Sequence, residues 1–281
     1  MMPELPEVET VKRILEPQLT GRRIRSVTLH RPEVVAHPGT EAFQKVTAGR
    51  MIAGMGRRGK FIQIFLDNGD TVILHLRMTG CLLAVPDDYP EAKHTHVRFL
   101  LEGGGELRFI DPRRFGRLWL KGKDEEDTFS GIGALGPEPF DPAFNAAYLQ
   151  AVLGDRQRKI KECLLDQRIV AGIGNIYADE ILFASGIRPD RPAAAMTQEE
   201  WGRLAAAVPA LLLQGIEADA MTPEEYLAGK GEKYRSVPFF QVYGREGESC
   251  PRCGCLIRRV MLAGRSSCYC PCCQASPFSN A

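Results

Sequence analysis

The spacing of apolar residues divides the chain into a strand-rich first third and a helix-rich remainder. Near the start, Val8, Val11, Ile14 and Leu15 recur at helical spacing, which predicts a helix over residues 7–19 that stops at Gly21. Runs suited to strands follow at 24–29, 60–66, 71–76, 96–101, 106–110 and 117–120. Turn sequences such as Asp67-Asn68-Gly69-Asp70 and Gly103-Gly104-Gly105 separate several of them. Many strands with a single helix predict a β-sandwich or barrel-like domain.

Residues 135–142 then break regular structure with three prolines and read as a domain linker. Beyond them the pattern turns helical. Asp141 can cap one helix with Pro142 in its first turn, and a second ends near Asp166. A third starts at Asn175 and stops before Gly186. Thr197 with Glu200 forms a capping box for a fourth, running towards Gln214. Thr222, Pro223 and Glu225 repeat that signature for a short fifth. The expected division is an N-terminal domain over 1–136, a helical domain over 137–235 and a small third domain over 236–281.

With 281 residues, 44% hydrophobic and 25% charged, the chain has enough material for two ordinary cores. No apolar run approaches the roughly 18–20 residues needed to span a bilayer. The segment from Met1 to Thr10 holds three glutamates and two prolines, unlike a secretory signal, so the expected location is the cytoplasm, without a membrane partner. A net charge of +1 excludes a uniformly basic chain but leaves room for a basic face. Basic residues cluster at Arg57, Arg58 and Lys60, at Arg113, Arg114 and Arg117, and at Arg156, Arg158, Lys159 and Lys161.

Seven of the nine cysteines lie between Cys250 and Cys273. In a cytoplasmic chain such crowding favours metal binding over disulfides. Cys250 and Cys253, then Cys270 and Cys273, form two knuckles of the kind that close a tetrahedral thiolate site, suited to zinc or iron. Cys255, Cys268 and Cys272 complicate the ligand choice. The second pair is taken as Cys270 and Cys273 because its spacing mirrors the first. The intervening hairpin carries Arg258, Arg259 and Arg265. Such a module serves either as a DNA-binding tool or as a purely structural clip.

Three separated segments resemble the formamidopyrimidine-DNA glycosylase (MutM) family. They are Pro3-Glu4-Leu5-Pro6-Glu7-Val8-Glu9-Thr10, the stretch Leu165-Asp166-Gln167 through Gly174-Asn175-Ile176-Tyr177-Ala178-Asp179-Glu180, and Gly264-Arg265 with Tyr269-Cys270 and Cys273-Gln274. The resemblance implies an α+β multidomain fold. Its parts are a β-sandwich with a helix, a helical domain with a helix–two-turn–helix, and a four-cysteine finger holding one structural Zn²⁺. It implies a monomer, associated with the nucleoid while it acts on damaged double-stranded DNA in base excision repair. DNA lies between the two domains in that family, whose substrates are oxidised purines.

The resemblance also implies roles. An N-terminal proline is a secondary amine, and terminal amines have a reference pKa of about 7.7–8.0, so Pro3 can attack the sugar C1′ and form a Schiff base. Glu4 is the implied general acid/base, with burial expected to raise its pKa. Glu7 is read as a structural helix-start residue. Lys60 and Arg265 are implied to support elimination. His75, His94, Lys161, Asn175 and Tyr243 match DNA-contacting positions. Met78, Arg113 and Phe115 match residues that fill the gap left by the extruded nucleotide. His94 and His96 are not read as a metal pair, since alternation supplies no further ligands.

Departures from the family sharpen the expectations. The chain starts Met1-Met2-Pro3, whereas the family has proline directly after the initiator; translation from Met2 and a mature start at Pro3 are expected. Gln157 stands where relatives often have a basic residue. The largest internal departure is Gly215 to Phe240: the family's lesion-recognition loop often opens Gly-Gly-Ser/Thr-Thr, but this chain has Glu217-Ala218-Asp219-Ala220-Met221 and then Tyr226 to Pro238, which leaves lesion preference open. The alternatives are an endonuclease VIII-like enzyme for oxidised pyrimidines, a catalytically silent abasic-site binder, and a zinc-dependent nucleic-acid module on an unrelated β-domain.

Overall fold

The structure is a computed structural model that describes residues 3–231, 233–234 and 239–275. Its contacts divide the chain into two compact units. One comprises residues 1–133 and 219–235, the other 134–218 and 236–281.

The first unit begins with α1 (Leu5–Leu19), which buries Leu5, Val8, Val11, Ile14, Leu15 and Leu19 on one face. Its outer face carries the pairs Lys12–Glu16 (2.7 Å) and Glu9–Arg13 (2.9 Å). Two sheets follow. Strands β1 (Ile24–Leu29), β6 (Cys81–Val85), β7 (Thr95–Leu101) and β8 (Glu106–Ile110) form one antiparallel sheet in the order β1-β7-β8-β6. The other contains β2 (Val35–His37), β3 (Ile52–Arg58), β4 (Phe61–Leu66), β5 (Thr71–His75) and β9 (Arg117–Lys121), in the order β2-β9-β5-β4-β3. Among the described strands of this sheet only the β2–β9 pair is parallel.

One continuous core joins the two sheets. It contains Ile62, Ile64, Val72, Leu74, Leu118 and Leu120 from the second sheet, and Leu82, Val97, Phe99, Leu107 and Phe109 from the first. This is the expected β-sandwich rather than a barrel. A short helix α2 (Thr40–Thr47) adds Phe43 to that core.

The second unit holds α3 (Ala146–Leu153), α4 (Ile160–Leu164), α5 (Asn175–Ser185) and α6 (Gln198–Ala218). Here α3 starts later than Asp141 suggests. Asp141 closes a turn by accepting from the Ala143 amide, and Asn145 is the true cap, accepting from Tyr148. The box at Thr197 and Glu200 is present, and α6 runs past Gln214 to Ala218. α5 ends at Gly186, whose φ of 68° suits a residue without Cβ.

The expected three-way division differs from these units for two physical reasons. The short helix α7 (Pro223–Ala228) plants Tyr226 in the sandwich core, where its hydroxyl donates to the Leu82 carbonyl (3.2 Å). That draws 219–235 into the first unit. The finger, with strands β10 (Arg258–Leu262) and β11 (Arg265–Tyr269), shares a core with Phe183 of α5 and so belongs to the helical unit.

Candidate functional site

In the first unit, two buried carboxyl groups and Pro3 gather at the start of α1. Pro3 is buried, and Glu4 and Glu7 have no exposed surface. The two glutamates form a reciprocal capping box: the Glu4 amide donates to Glu7 Oε2 (2.8 Å), and the Glu4 carboxylate accepts the Glu7 amide. Burial pushes the Glu7 carboxyl up to about 8, helped by the Glu4 carboxylate and, less strongly, by Asp219. Glu7 therefore does more than favour a helix start: at neutral pH it keeps its proton beside Glu4. Asp219 is itself fully buried in the same unit.

Pro3 lines a pocket of about 340 Å³ with Met78, Thr79, Gly80, Cys81, Pro112, Gly231 and Tyr234. Gly231 and Tyr234 come from the segment that departs from the family pattern. That segment, in part outside the described residues at 232 and 235–238, thus reaches the wall of the pocket that Pro3 lines.

Lys60, expected to open a strand over 60–66, instead sits in the turn between β3 and β4, one residue before β4 begins. Arg57 fixes that turn, donating to Glu9 of α1 (2.9 Å) and to the Gly59 carbonyl (3.0 Å). His75 ends β5 and stands edge-on to Phe61, ring centroids 4.7 Å apart. Burial first, then Arg77 and Lys60, press its pKa down to about 3. Its Nδ1 accepts from the Arg77 amide (2.9 Å), which places the proton on Nε2. His75 is thus a neutral donor.

Met78 and Phe115 are exposed large apolar side chains, at 40% and 47%. The Arg113 guanidinium lies 4.7 Å from the Phe115 ring centre. Their two loops are joined by Asp111, a buried residue to which sequence reading gave no role. One oxygen of Asp111 accepts from Thr79 Oγ1 (2.5 Å) and the Arg113 amide (3.2 Å), and the other accepts from the Gly116 amide (2.8 Å). Gly80 and Gly116 both rest on the Phe109 ring; a Cβ would come within 3.0 Å and 2.4 Å of it, respectively. His94 is half-buried just before β7, its carbonyl accepting from the Asp111 amide (3.1 Å). Among the described residues, the only clusters suited to a metal are made of cysteine, and His94 and His96 are in none.

In the second unit, Gln167 shapes the turn before α5. Its side chain donates to the Ile173 carbonyl (2.8 Å) and accepts from the Gly172 amide (2.9 Å), where Gly172 has φ 94°. Asn175 opens α5, and its Oδ1 is buried with no hydrogen-bond partner among the described residues. Glu180 of the same helix accepts from the amides of Gln241, Val242 and Tyr243 (2.8–2.9 Å), which holds Tyr243 in place.

Lys161 departs from expectation. It is wholly buried; its ammonium forms an ion pair with Asp179 (2.6 Å) and donates to the Ser266 carbonyl (2.8 Å) and Ser267 Oγ (2.8 Å). These three groups compensate the buried charge. Lys161 therefore ties α4 to α5 and the finger instead of facing a phosphate. Arg265 is exposed beside the tight Ala263–Gly264 turn, with no carboxylate partner among the described residues.

The sulfurs of Cys250, Cys253, Cys270 and Cys273 all lie within 4.8 Å of one another, with Cys250–Cys273 at 3.8 Å and Cys253–Cys270 at 3.4 Å. A tetrahedral ion with Zn–S bonds of about 2.3 Å separates its sulfurs by about 3.8 Å, so this set fits a thiolate-bound metal. Gln274 braces the site, accepting from the Cys270 amide (2.9 Å) and donating to the Ile187 carbonyl (2.7 Å). Cys255 and Cys272, whose part was open from spacing, are joined as a disulfide. The cluster thus combines metal-type ligands with a disulfide, where crowding alone favoured metal.

Comparison with known proteins agrees with this layout. A family model described as the formamidopyrimidine-DNA glycosylase N-terminal domain matches residues 2–118, and one described as the H2TH domain of the same glycosylase matches 135–226. The formamidopyrimidine-DNA glycosylase of Moorella thermoacetica is 51% identical over 92% of this chain and 94% of its own. That of Pelotomaculum thermopropionicum is 45% identical over 97% and 99%. Among solved structures, the Lactococcus lactis Fpg (MutM) bound to DNA containing an oxidised pyrimidine has TM-score 0.88 and 33% identity, covering 98% of this chain and all of that one (100%). MutM bound to DNA containing carbocyclic 8-oxo-G gives 0.89 and 34%, with coverage of 98% and 100%. No described helix is long and apolar enough to cross a membrane. The chain belongs to the formamidopyrimidine-DNA glycosylase family, the DNA glycosylases with abasic-site lyase activity that serve base excision repair.

Proposed function

We propose that this chain excises oxidised purines from double-stranded DNA and then cleaves the backbone by successive β- and δ-elimination, with Pro3 as nucleophile. The observation that carries the reading is the seat of Pro3, on the wall of a 340 Å³ pocket directly before the buried Glu4. Once Pro3 leads the mature chain, its secondary amine attacks C1′ and displaces the base. The resulting iminium acidifies the neighbouring sugar proton. Glu4 acts as general acid and base, protonating the opening sugar and shuttling protons during elimination. Lys60 supports elimination from the β3–β4 turn, and Arg265 serves as a second proton donor in the later elimination.

Met78, Arg113 and Phe115 fill the gap behind the extruded nucleotide; their exposure and their common tether at Asp111 suit a preformed wedge. His75, His94, Asn175, Tyr243 and Arg265 contact the DNA backbone. The Nε2 proton of His75 and the amides at the start of α5 suit that role. Lys161 is not among these contacts. The four thiolates of Cys250, Cys253, Cys270 and Cys273 hold one structural Zn²⁺, which orders the hairpin carrying Arg265 and takes no part in the chemistry.

Borohydride trapping on duplex DNA containing 8-oxoguanine tests this directly. A covalent adduct is expected from protein whose intact mass starts at Pro3, and none from Pro3→Gly or an N-terminally extended form. Cleavage without any trapped adduct would overturn the assignment. A second reading, a preference extending to oxidised pyrimidines, is favoured by the divergent segment that supplies Gly231 and Tyr234 to the pocket. Paired excision assays on purine and pyrimidine lesions separate the two.

A further inference from the structure

We propose that Cys255 and Cys272 form a reversible thiol–disulfide clip that closes the finger independently of its metal. The inference starts from their placement. Cys255 lies just past the first knuckle, and Cys272 lies inside the second, between Cys270 and Cys273. The Cys255–Cys272 bond therefore joins the same two ends of the hairpin that the metal joins, by separate atoms. The four ligand sulfurs are left intact as a set. Metal and disulfide are two parallel fastenings on one fold.

Accessibility gives the order of events. Cys272 is exposed and Cys255 is half-buried. Under reducing conditions both are thiols. When a small disulfide oxidant appears, the Cys272 thiolate attacks one of its sulfurs and expels one thiolate of the oxidant. The Cys255 thiolate then attacks Cys272 of the mixed disulfide and releases the second. Two protein thiols are oxidised, one oxidant disulfide is reduced to two thiols, and both protein protons leave with them.

Cys253 sets the condition for fidelity. Its sulfur lies within 4.8 Å of both Cys255 and Cys272 as well as belonging to the metal set. Metal-bound, Cys253 is held away from exchange. Stripped of metal, it competes for the same disulfide. The clip thus forms correctly while the metal is present and then preserves the hairpin if the metal is lost. This suits the enzyme proposed above, whose substrates arise when oxidants that attack thiolates are abundant. The clip itself is a property of the finger and does not depend on that reading.

The test uses the full, metal-loaded chain, treated with oxidised glutathione or with a thiol reductant. Differential alkylation and peptide mapping come first. Oxidised protein should show Cys255 joined to Cys272 and the four ligand cysteines recovered as thiols after denaturation. A strong chelator is then added, and duplex binding is measured. The oxidised form should weaken by less than about threefold, whereas the reduced form and Cys272→Ser should weaken at least tenfold. Metal release, read with a colorimetric indicator, should be complete in every sample. Recovery of Cys255 and Cys272 as thiols after oxidation overturns the clip, and so does equal loss of binding in oxidised and reduced protein. The mapping requires no catalysis, so failure of the clip and failure of the proposed reaction remain distinguishable.

Discussion

The ammonium of Lys161 lies 2.6 Å from the carboxylate of Asp179, and neither side chain is more than 1% exposed. Their pairing is a structural joint: Asp179 also accepts from the Cys268 amide of the finger (2.9 Å). Asp179→Ala would strand a buried ammonium and is expected to cost about 3–5 kcal/mol in denaturant unfolding. Lys161→Met should cost less. It should also leave the salt dependence of DNA binding unchanged, whereas Arg265→Ala should reduce the slope by about 0.9. A reduced slope in Lys161→Met would return that residue to the DNA surface.

The Glu7 carboxyl, held at about 8, makes stability depend on pH in a defined direction. Its folded pKa lies above the ordinary carboxyl value of 4.5, so the folded state holds the proton more tightly than the unfolded chain. The associated stability is complete below pH 4.5 and is lost as pH rises through about 8. The slope inside that window approaches about 1.4 kcal/mol per pH unit. Glu7→Gln retains an acceptor for the Glu4 amide and cannot ionise. Thermal unfolding across pH 5–9 should show a flatter profile for the variant, with its advantage greatest at the alkaline end. A parallel profile would show that another group sets the slope.

Asp111 holds two loops with one carboxylate. Asp111→Ala should lower stability by about 2–4 kcal/mol, since several buried donors lose their shared acceptor. Met78 and Arg113 would also lose their fixed separation. Binding to DNA with an abasic-site analogue should weaken alongside, and Asp111→Asn should recover part of both losses. Retained affinity in a folded Asp111→Ala protein would argue against a preformed wedge.

Gly116 sits against a ring that leaves no room for a methyl group. Gly116→Ala should destabilise by about 1–3 kcal/mol through overpacking on Phe109. Combining it with Phe109→Leu should restore part of that loss. The coupling energy of the double-mutant cycle is the measurement, and strict additivity would rule out the contact as the cause.

Local rules read correctly where the partner lay close in sequence. The caps at Thr197–Glu200 and Thr222–Glu225, the stop at Gly186 and the apolar face of α1 all follow from neighbours within a turn or two. β3 carries Gly54, Gly56, Arg57 and Arg58, which hide its alternation, so its place appears only through pairing with β4. Lys161 looked like one more cation in a basic run. Its burial depends on Asp179 and Ser267, which the chain delivers from other elements. The four-cysteine set was legible because each pair is local, whereas the Cys255–Cys272 bond depends on how the hairpin folds back. The family motif pointed to Pro3 and Glu4, but nothing in it announced that Gly231 and Tyr234 return to line the same pocket.

That return has a consequence for dissecting the protein. The polypeptide passes from one unit to the other at 133/134, 218/219 and 235/236. No contiguous fragment therefore reproduces either half. A piece ending near 133 would leave the Leu82 backbone and its apolar surroundings without Tyr226, and a piece starting there would carry α7 with no surface to cover. Halves made for separate study have to be cut and religated around 219–235 instead of simply truncated.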